Sequence, residues 1–315
     1  MSATRPAPAR PVAILNPVAR GHARTVELLD RLAREHGWPA WRHLPTTEFD
    51  FGGSQAEQAL ELGADLVVVG GGDGTVRAVA ERLRGTQTAI GIVPLGTANI
   101  FARNLGLSPR RLEAAVGVAM FGSPRRLDLG VACFRTESLP TQDSREHLFL
   151  VLAGLGNDAL TVAATRPGLK RRLGWLAYFE SGSRHLVRRP VRMLVQLDDQ
   201  PALPRALWSC LVGNAPRIPM GISIFPAREL DDGLLDVMEV RVTRLRQWFP
   251  IALAGARRRA ESPCLVHHDA RRVRLVPDEP TELQLDGDVF GPVVEATLSV
   301  HPRSLLVNTP EGKTR

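Results

Sequence analysis

The sequence is poor in lysine, cysteine and aromatic residues, and each shortage excludes something. Lys170 and Lys313 are the only lysines among 40 basic residues, so the net charge of +7 is carried by arginine. That bias reads either as base composition of the encoding genome or as affinity for an anionic partner, such as a nucleotide, a nucleic acid or a membrane surface. Aromatics make up only 5% of the chain, which disfavours stacking on single-stranded nucleic acid. Cys133, Cys210 and Cys264 are far apart and form no CxxC. They argue against a zinc site or a disulfide framework and fit a reducing cytosol. The histidines show no HExxH or other metal spacing. No apolar run approaches the ~18–20 residues of a membrane span. The opening stretch, MSATRPAPARP, lacks the apolar centre of a secretory signal and reads as a short disordered tail.

What is present is a chain of 315 residues, 44% of them hydrophobic, enough for two globular domains. The first part alternates short apolar runs with helical periodicity. PVAILN (11–16), WPAWRHLPT (38–46), DLVVVG (65–70) and AIGIVPLG (89–96) read as strands. Helices are expected over 23–37, over 54–63 with Ser54 as N-cap, after VVVGGGDGT, over 98–106 and over 108–122. Strands separated by helices of this length imply a doubly wound parallel sheet. Near RRLDLGVACF (125–134) the pattern changes to short alternating runs, the mark of an antiparallel, sandwich-like domain. Helical patterns interrupt it at roughly 167–188 and 243–260. The expected division is 11–127 and 128–302, with tails 1–10 and 303–315, the latter able to return to the first domain.

The most telling stretch is ADLVVVGGGDGTVRAVAERL (64–83), where a strand runs through glycines into a helix. Backbone N–H groups converge at such a turn, and glycine lets a phosphate approach. Asp73 complicates that reading, because a carboxylate repels phosphate unless a cation lies between. It points to Mg²⁺–nucleotide chemistry, or else to an Asp that caps the following helix near Thr75. The spacing is neither GxGxxG, since position 77 is Arg, nor a P-loop: the GKT at 312–314 is preceded at position 307 by Val. VPLGTANIFARNLG (93–106) makes a second strand-to-helix turn, and LNPVARGHA (15–23) a third, with Asn16, Arg20 and Arg24. Neighbouring turns of this kind line the crevice where open α/β sheets bind ligands.

GGDGT (71–75), PLGTAN (94–99) and NPVARG (16–21), followed in order by GNDA (156–159), DDGLLDV (231–237) and LQLDGD (283–288), resemble the diacylglycerol kinase catalytic-domain family. Its members include soluble bacterial lipid kinases, with sphingosine and ceramide kinases as relatives. GGDGT alone also occurs in NAD kinases and phosphofructokinases; the ordered set is more specific.

The resemblance implies an α/β nucleotide domain and a β-sandwich-like domain with catalysis in the cleft between them. It implies an ATP- and Mg²⁺-dependent transfer to the hydroxyl of diacylglycerol or a similar lipid. Gly71, Gly72, Asp73, Gly74 and Thr75 would hold the ATP phosphates, Asp73 acting through Mg²⁺. Asn16, Thr97, Asn99 and either Thr46 or Thr47 would line the nucleotide site, and Asp128 would join the acidic network. Asp286 would be the general base, with Asp288 orienting it or a cation. QLDGDVF also fits an Asp-Gly hairpin turn. The carbonyls of Glu229 and Leu234 and the carboxylate of Asp232 would form a cation loop, where an ordinary polar turn also fits.

The sequence departs from the family in two notable places: Arg77 and Ala78 follow GGDGT, and Ile100 stands where the family often has Asp. Basic and aromatic residues over 168–193, including Trp175, Tyr178 and Phe179, suit either an interfacial helix on anionic lipid or a helix packed on the sandwich. The partners expected are a lipid at an anionic membrane surface and no nucleic acid; a homodimer is compatible. The location expected is cytoplasmic, peripheral to the inner face of the membrane. The rival readings are a non-catalytic nucleotide- or lipid-binding module and a NAD-kinase-like enzyme.

Overall fold

A computed structural model describes residues 8–96, 98–137, 145–159, 188–216, 229–248, 251 and 262–310. The chain divides into two units, 1–127 with 303–315, and 128–302.

The first unit is an α/β sheet. Strands β1 (Pro11–Leu15), β2 (Arg42–Pro45), β3 (Leu66–Gly71) and β4 (Ala89–Pro94) lie parallel in the order β2-β1-β3-β4. Helices α1 (His22–Glu35), α2 (Gly53–Glu61), α3 (Asp73–Leu83), α4 (Ile100–Asn104) and α5 (Leu112–Phe121) connect and cover them. Ala13, Leu15, Val68 and Val93 pack with Leu28 and Leu29 of α1 and with Val116, Ala119 and Met120 of α5. Residues of the opposite parity, Ile14, Val67, Val69, Ile90 and Ile92, are equally buried, so both sheet faces are covered. Each such aliphatic side chain contributes about 1.5–3 kcal/mol on burial. Gly91 lets α5 approach β4, since a Cβ there would lie 2.2 Å from the Ala119 carbonyl oxygen. The doubly wound parallel sheet expected from the sequence is thus present.

One expected cap differs. Gly52, at φ 119°, occupies the N-cap position of α2, not Ser54. The Ser54 N–H donates to the Asp50 carboxylate at 2.6 Å. Phe51 and Gly52 both take left-handed backbone, and this bend carries Asp50 back over the helix start.

The second unit is antiparallel in all its recorded pairings. Its strands are β5 (Ser123–Thr136, which enters from the first unit), β6 (His147–Phe149), β7 (Leu152–Gly156), β8 (Val191–Leu197), β9 (Leu203–Leu207), β10 (Ser209–Gly213), β11 (Leu235–Val240), β12 (Leu265–Ala270), β13 (Arg272–Pro277), β14 (Thr281–Leu285) and β15 (Asp288–Thr309). One run follows β12-β11-β10-β7-β14-β15, and another continues from β15 through β13 and β8 to β9. Phe149, Leu155, Val212, Leu235, Leu275, Leu283 and Leu298 form its apolar core. The end of β15 belongs to the first unit, where Val307 pairs in parallel with Ile90 of β4.

The helical patterns at 167–188 and 243–260 fall largely outside the described residues, as do most of 168–193 and all of Thr97. Among the described residues no helix is long and apolar enough to cross a membrane.

Candidate functional site

In the first unit the strand order reverses at β1 and β3, and their carboxyl ends are tied together. The Asn16 N–H donates to the Gly70 carbonyl at 2.8 Å, and the Thr46 N–H to the Leu15 carbonyl at 3.1 Å. Ligands of open α/β sheets bind at such a switch point. Asn16 Oδ1 accepts the Val18 N–H at 3.0 Å, which closes the turn after β1. Thr46 is buried and Thr47 exposed, so Thr46 is the threonine packed at this end of the sheet.

The glycine turn locks to the second turn by backbone contact. The Gly71 carbonyl accepts the N–H groups of Leu95 and Gly96, both at 3.0 Å, and Asn99 Nδ2 at 2.9 Å. A Cβ on Gly96 would lie 2.7 Å from Gly72 Cα, and a Cβ on Gly71 would lie 2.7 Å from Thr75 Oγ1. These two glycines are therefore required by packing. Gly72 and Gly74 face open space, so their lack of a side chain leaves room for a ligand at the start of α3. The amide end of α3 favours negative charge there.

Asp73 is the first residue of α3, but it serves a different helix. Its Oδ1 accepts the Ile100 N–H at 2.7 Å, at the start of α4. Capping of its own helix near Thr75, the alternative raised from the sequence, gives way to capping of the next one. Burial pushes the Asp73 carboxyl up, against the opposing pull of N–H groups from Ile100, Phe101 and Asn99. Beside it, Asn99 is 1% exposed and its Oδ1 has no hydrogen-bond partner among the described residues. A buried acceptor without a donor and a carboxylate that resists burial both suit a cation or a ligand donor. These oxygen donors fit Mg²⁺, which commonly binds one or two carboxylates together with substrate phosphates. The described residues contain no group of three or more His, Cys, Asp or Glu able to hold a metal by themselves.

In the second unit Asp286 and Gly287 form the turn between β14 and β15, with φ of 51° and 88°. Two left-handed residues make the primed hairpin turn that Asp-Gly favours. The hairpin and the placed carboxylate coexist. Asp286 Oδ2 accepts the Leu150 N–H at 2.7 Å, and Oδ1 accepts those of Val151 and Leu152 at 2.9 and 3.0 Å. The segment Leu150–Leu152 is held in turn: Asn214 Nδ2 donates to Leu150 O, the Asn214 N–H to Val151 O, and the Asp286 N–H to Leu152 O. Asp288 is exposed on the strand side of the turn.

Asp128 is 2% exposed, and its Oδ2 accepts the Gly233 N–H at 2.6 Å. Its own N–H donates to the Leu230 carbonyl, and its carbonyl accepts Asn214 Nδ2. Asp128 thus joins the 229–234 loop. Within that loop Asp232 Oδ1 accepts the Leu234 N–H at 3.0 Å, and Glu229 is exposed. Asn214 links this loop to the segment under Asp286. It lay in LVGNAP with no catalytic spacing to mark it, and only tertiary placement reveals it. A further cleft in this unit, about 930 Å³, is lined by Arg188, Arg189, Arg192, Asp278, Glu279 and Glu282 among others. Its charged wall does not suit an acyl chain.

Residues 10–132 match the family model of the diacylglycerol kinase catalytic domain. Residues 151–309 match that of the YegS C-terminal NAD kinase beta sandwich-like domain. The chain is 26% identical over 259 residues to a diacylglycerol kinase of Bacillus subtilis (strain 168), covering 81% of each. It is 32% identical over 266 residues to "Probable lipid kinase YegS-like" of Pseudomonas aeruginosa (strain PAO1), covering 81% of this chain and 80% of that one. In fold it resembles the crystal structure of a diacylglycerol kinase from Bacillus anthracis, with TM-score 0.75, 21% identity and coverage of 98% and 99%. It also resembles yeast NADH kinase in fold, at TM-score 0.51 and 10% identity. The α/β unit with its glycine turn, joined to a β-sandwich-like unit, is the architecture of a kinase. The chain belongs to the diacylglycerol kinase catalytic-domain family.

Proposed function

We propose that the protein is an ATP- and Mg²⁺-dependent lipid kinase acting on the hydroxyl of diacylglycerol or a similar lipid. The observation that carries this reading is the switch-point turn of Gly71–Thr75, with its half-buried Asp73 and with Asn99 Oδ1 unpartnered among the described residues, inside the matched kinase domain. The names of the diacylglycerol kinase and lipid kinase relatives support the lipid acceptor.

In this reading the N–H groups at the start of α3 bind the phosphates in the space left by Gly72 and Gly74. Asn16, Thr46, Thr97 and Asn99 line the nucleotide. Asp73 and Asn99 Oδ1 would hold Mg²⁺, which supplies charge neutralisation on the phosphoryl oxygens. Asp286 accepts the proton of the lipid hydroxyl as that oxygen bonds to the γ-phosphorus and the β–γ bridging bond breaks. Fixed by three N–H donors, its carboxylate needs no rotamer search to act. Asp128 and Asp232 support the second unit, and Glu229, Asp232 and Leu234 are the proposed cation loop. The lipid would be met at an anionic membrane surface on the cytoplasmic side.

The test is purified protein with labelled ATP, Mg²⁺ and a panel of diacylglycerol, sphingoid bases and ceramide in mixed micelles, with NAD as a separate arm. Labelled lipid that disappears with EDTA is expected. Label in NAD alone would replace this reading with a NAD-kinase-like one. Label in neither, with ATP still bound, would leave a binding module.

A further inference from the structure

Asp158 is a carboxyl that the proposed reaction does not use, and its surroundings are built around it. Its Oδ1 accepts the Ser209 hydroxyl at 2.6 Å, and its Oδ2 accepts Gln284 Nε2 at 3.3 Å. The Asp158 N–H donates back to Ser209 Oγ at 2.9 Å. Two glycines make the space. A Cβ on Gly154 would lie 1.8 Å from Asp158 Oδ2, and one on Gly156 would lie 2.8 Å from Ser209 Oγ. Burial pushes the Asp158 carboxyl up, although Ser209, Gln284 and backbone N–H groups oppose it. A fold that only needed filling would place an apolar residue here at less cost.

The contacts lead to one place. Gln284 Oε1 accepts the Gly287 N–H at 2.8 Å. In a primed two-residue turn the central N–H groups lie outside the strand ladder. Here the Asp286 N–H is taken by Leu152 O and the Gly287 N–H by Gln284. The Gln284 amide has a fixed polarity: its oxygen faces a donor and its nitrogen must face an acceptor. Asp158 supplies that acceptor.

We propose that Asp158 is a positioning residue, which through Gln284 sets the Asp286–Gly287 turn and with it the bearing of the Asp286 carboxylate. This rests on the reading of Asp286 as the proton acceptor.

The polarity argument yields a rescue. In D158N the amide nitrogen at 158 meets the amide nitrogen of Gln284. If Gln284 flips, its nitrogen then meets the Gly287 N–H. Either way one bond of the relay is lost, and an amide at 158 that turns its nitrogen to Ser209 Oγ instead loses the bond the Ser209 hydroxyl now donates to Oδ1. In D158N/Q284E the amide at 158 donates to the carboxylate at 284, which also accepts the Gly287 N–H, while the oxygen at 158 still accepts from Ser209. The relay is restored with donor and acceptor exchanged. Q284M breaks it without adding charge.

The experiment measures kcat and KM on the phosphorylated lipid for the full chain as wild type, D158N, Q284M and D158N/Q284E. Gly287 amide exchange is followed by NMR in the same proteins. D158N and Q284M are expected to lower kcat roughly tenfold to a hundredfold with KM for ATP nearly unchanged, and to speed Gly287 exchange. D158N/Q284E is expected to recover both. Wild-type kcat in D158N and Q284M would overturn the proposal. So would a double variant that regains Gly287 protection but not kcat, since Asp158 would then act directly on substrate. A wild type that labels no lipid refutes the kinase reading instead, and the exchange series still decides the relay. Equal Gly287 exchange in wild type and D158N overturns the relay, and faster exchange in D158N reversed in the double variant supports it.

Discussion

Asp73 is held in a place that opposes its charge, and the opposition has a measurable sign. Burial raises its carboxyl above the ordinary 3.8. The fold therefore favours the protonated form, and that stability is present below about pH 3.8 and lost as pH rises through the raised value. Asp73→Asn keeps an oxygen for the Ile100 N–H and removes the half-buried charge. Its melting temperature should equal or exceed that of wild type at pH 7, with the gap shrinking toward pH 4, while lipid phosphorylation is lost. A large loss of stability in D73N at pH 7 would contradict a ligand-serving role. Asp286→Asn should lower kcat by about 10²–10⁴, the range for loss of a general base, and leave ATP affinity intact. Isothermal titration with a non-hydrolysable ATP analogue separates the two. Ile100, the most evident departure from the family motif in sequence, contributes its backbone N–H to Asp73, a function that any residue except proline can perform.

At the scale of elements, what the sequence shows most clearly is periodicity. The parallel strands β1, β3 and β4 are continuous apolar runs because both their faces are covered, and they read as strands at once. Caps and carboxylate targets are less legible, because they depend on bends that bring distant residues together. Ser54 has the right type and position for an N-cap, yet the left-handed pair Phe51–Gly52 delivers Asp50 instead. Asp73 precedes a helix in sequence and caps another one 27 residues on. The N–H cradle of Asp286 lies 134 to 136 residues away, so no local pattern could reveal it. Asp50 also gives a test. Its carboxyl is lowered chiefly by the Ser54 hydrogen bond, so its contribution is present above about pH 3.8 and fades as pH falls through the lowered value. Asp50→Ala should cost about 0.5–1 kcal/mol near neutral pH, since the site is solvent-screened, and less in acid. Urea unfolding at pH 7 and pH 3 would show it.

For the whole molecule, the change from helical to alternating periodicity near residue 127 is plain in the sequence. Less legible is that β15 continues from Asp288 to Thr309. Pro302 reads as a stop, and Arg303 at φ 51° breaks the regular strand locally. Beyond it Asn308, fully buried, donates from Nδ2 to Ala119 O at 2.7 Å, and Gly85 donates to Ser304 O at 2.7 Å. A chain ending at residue 302 should therefore lose cooperative unfolding of the α/β unit and aggregate through the uncovered edge of β4. Light scattering during thermal unfolding would record this, and adding a peptide spanning 303–310 should partly reverse it.

That return of the chain also governs when the first unit can be finished. Its opening strands leave the ribosome before the second unit, but the segment that closes the β4 side of their sheet emerges only after it. Domains commonly fold in order of synthesis. Here the first unit waits, its edge open to a chaperone or a neighbouring nascent chain, until the whole of the second unit has been made.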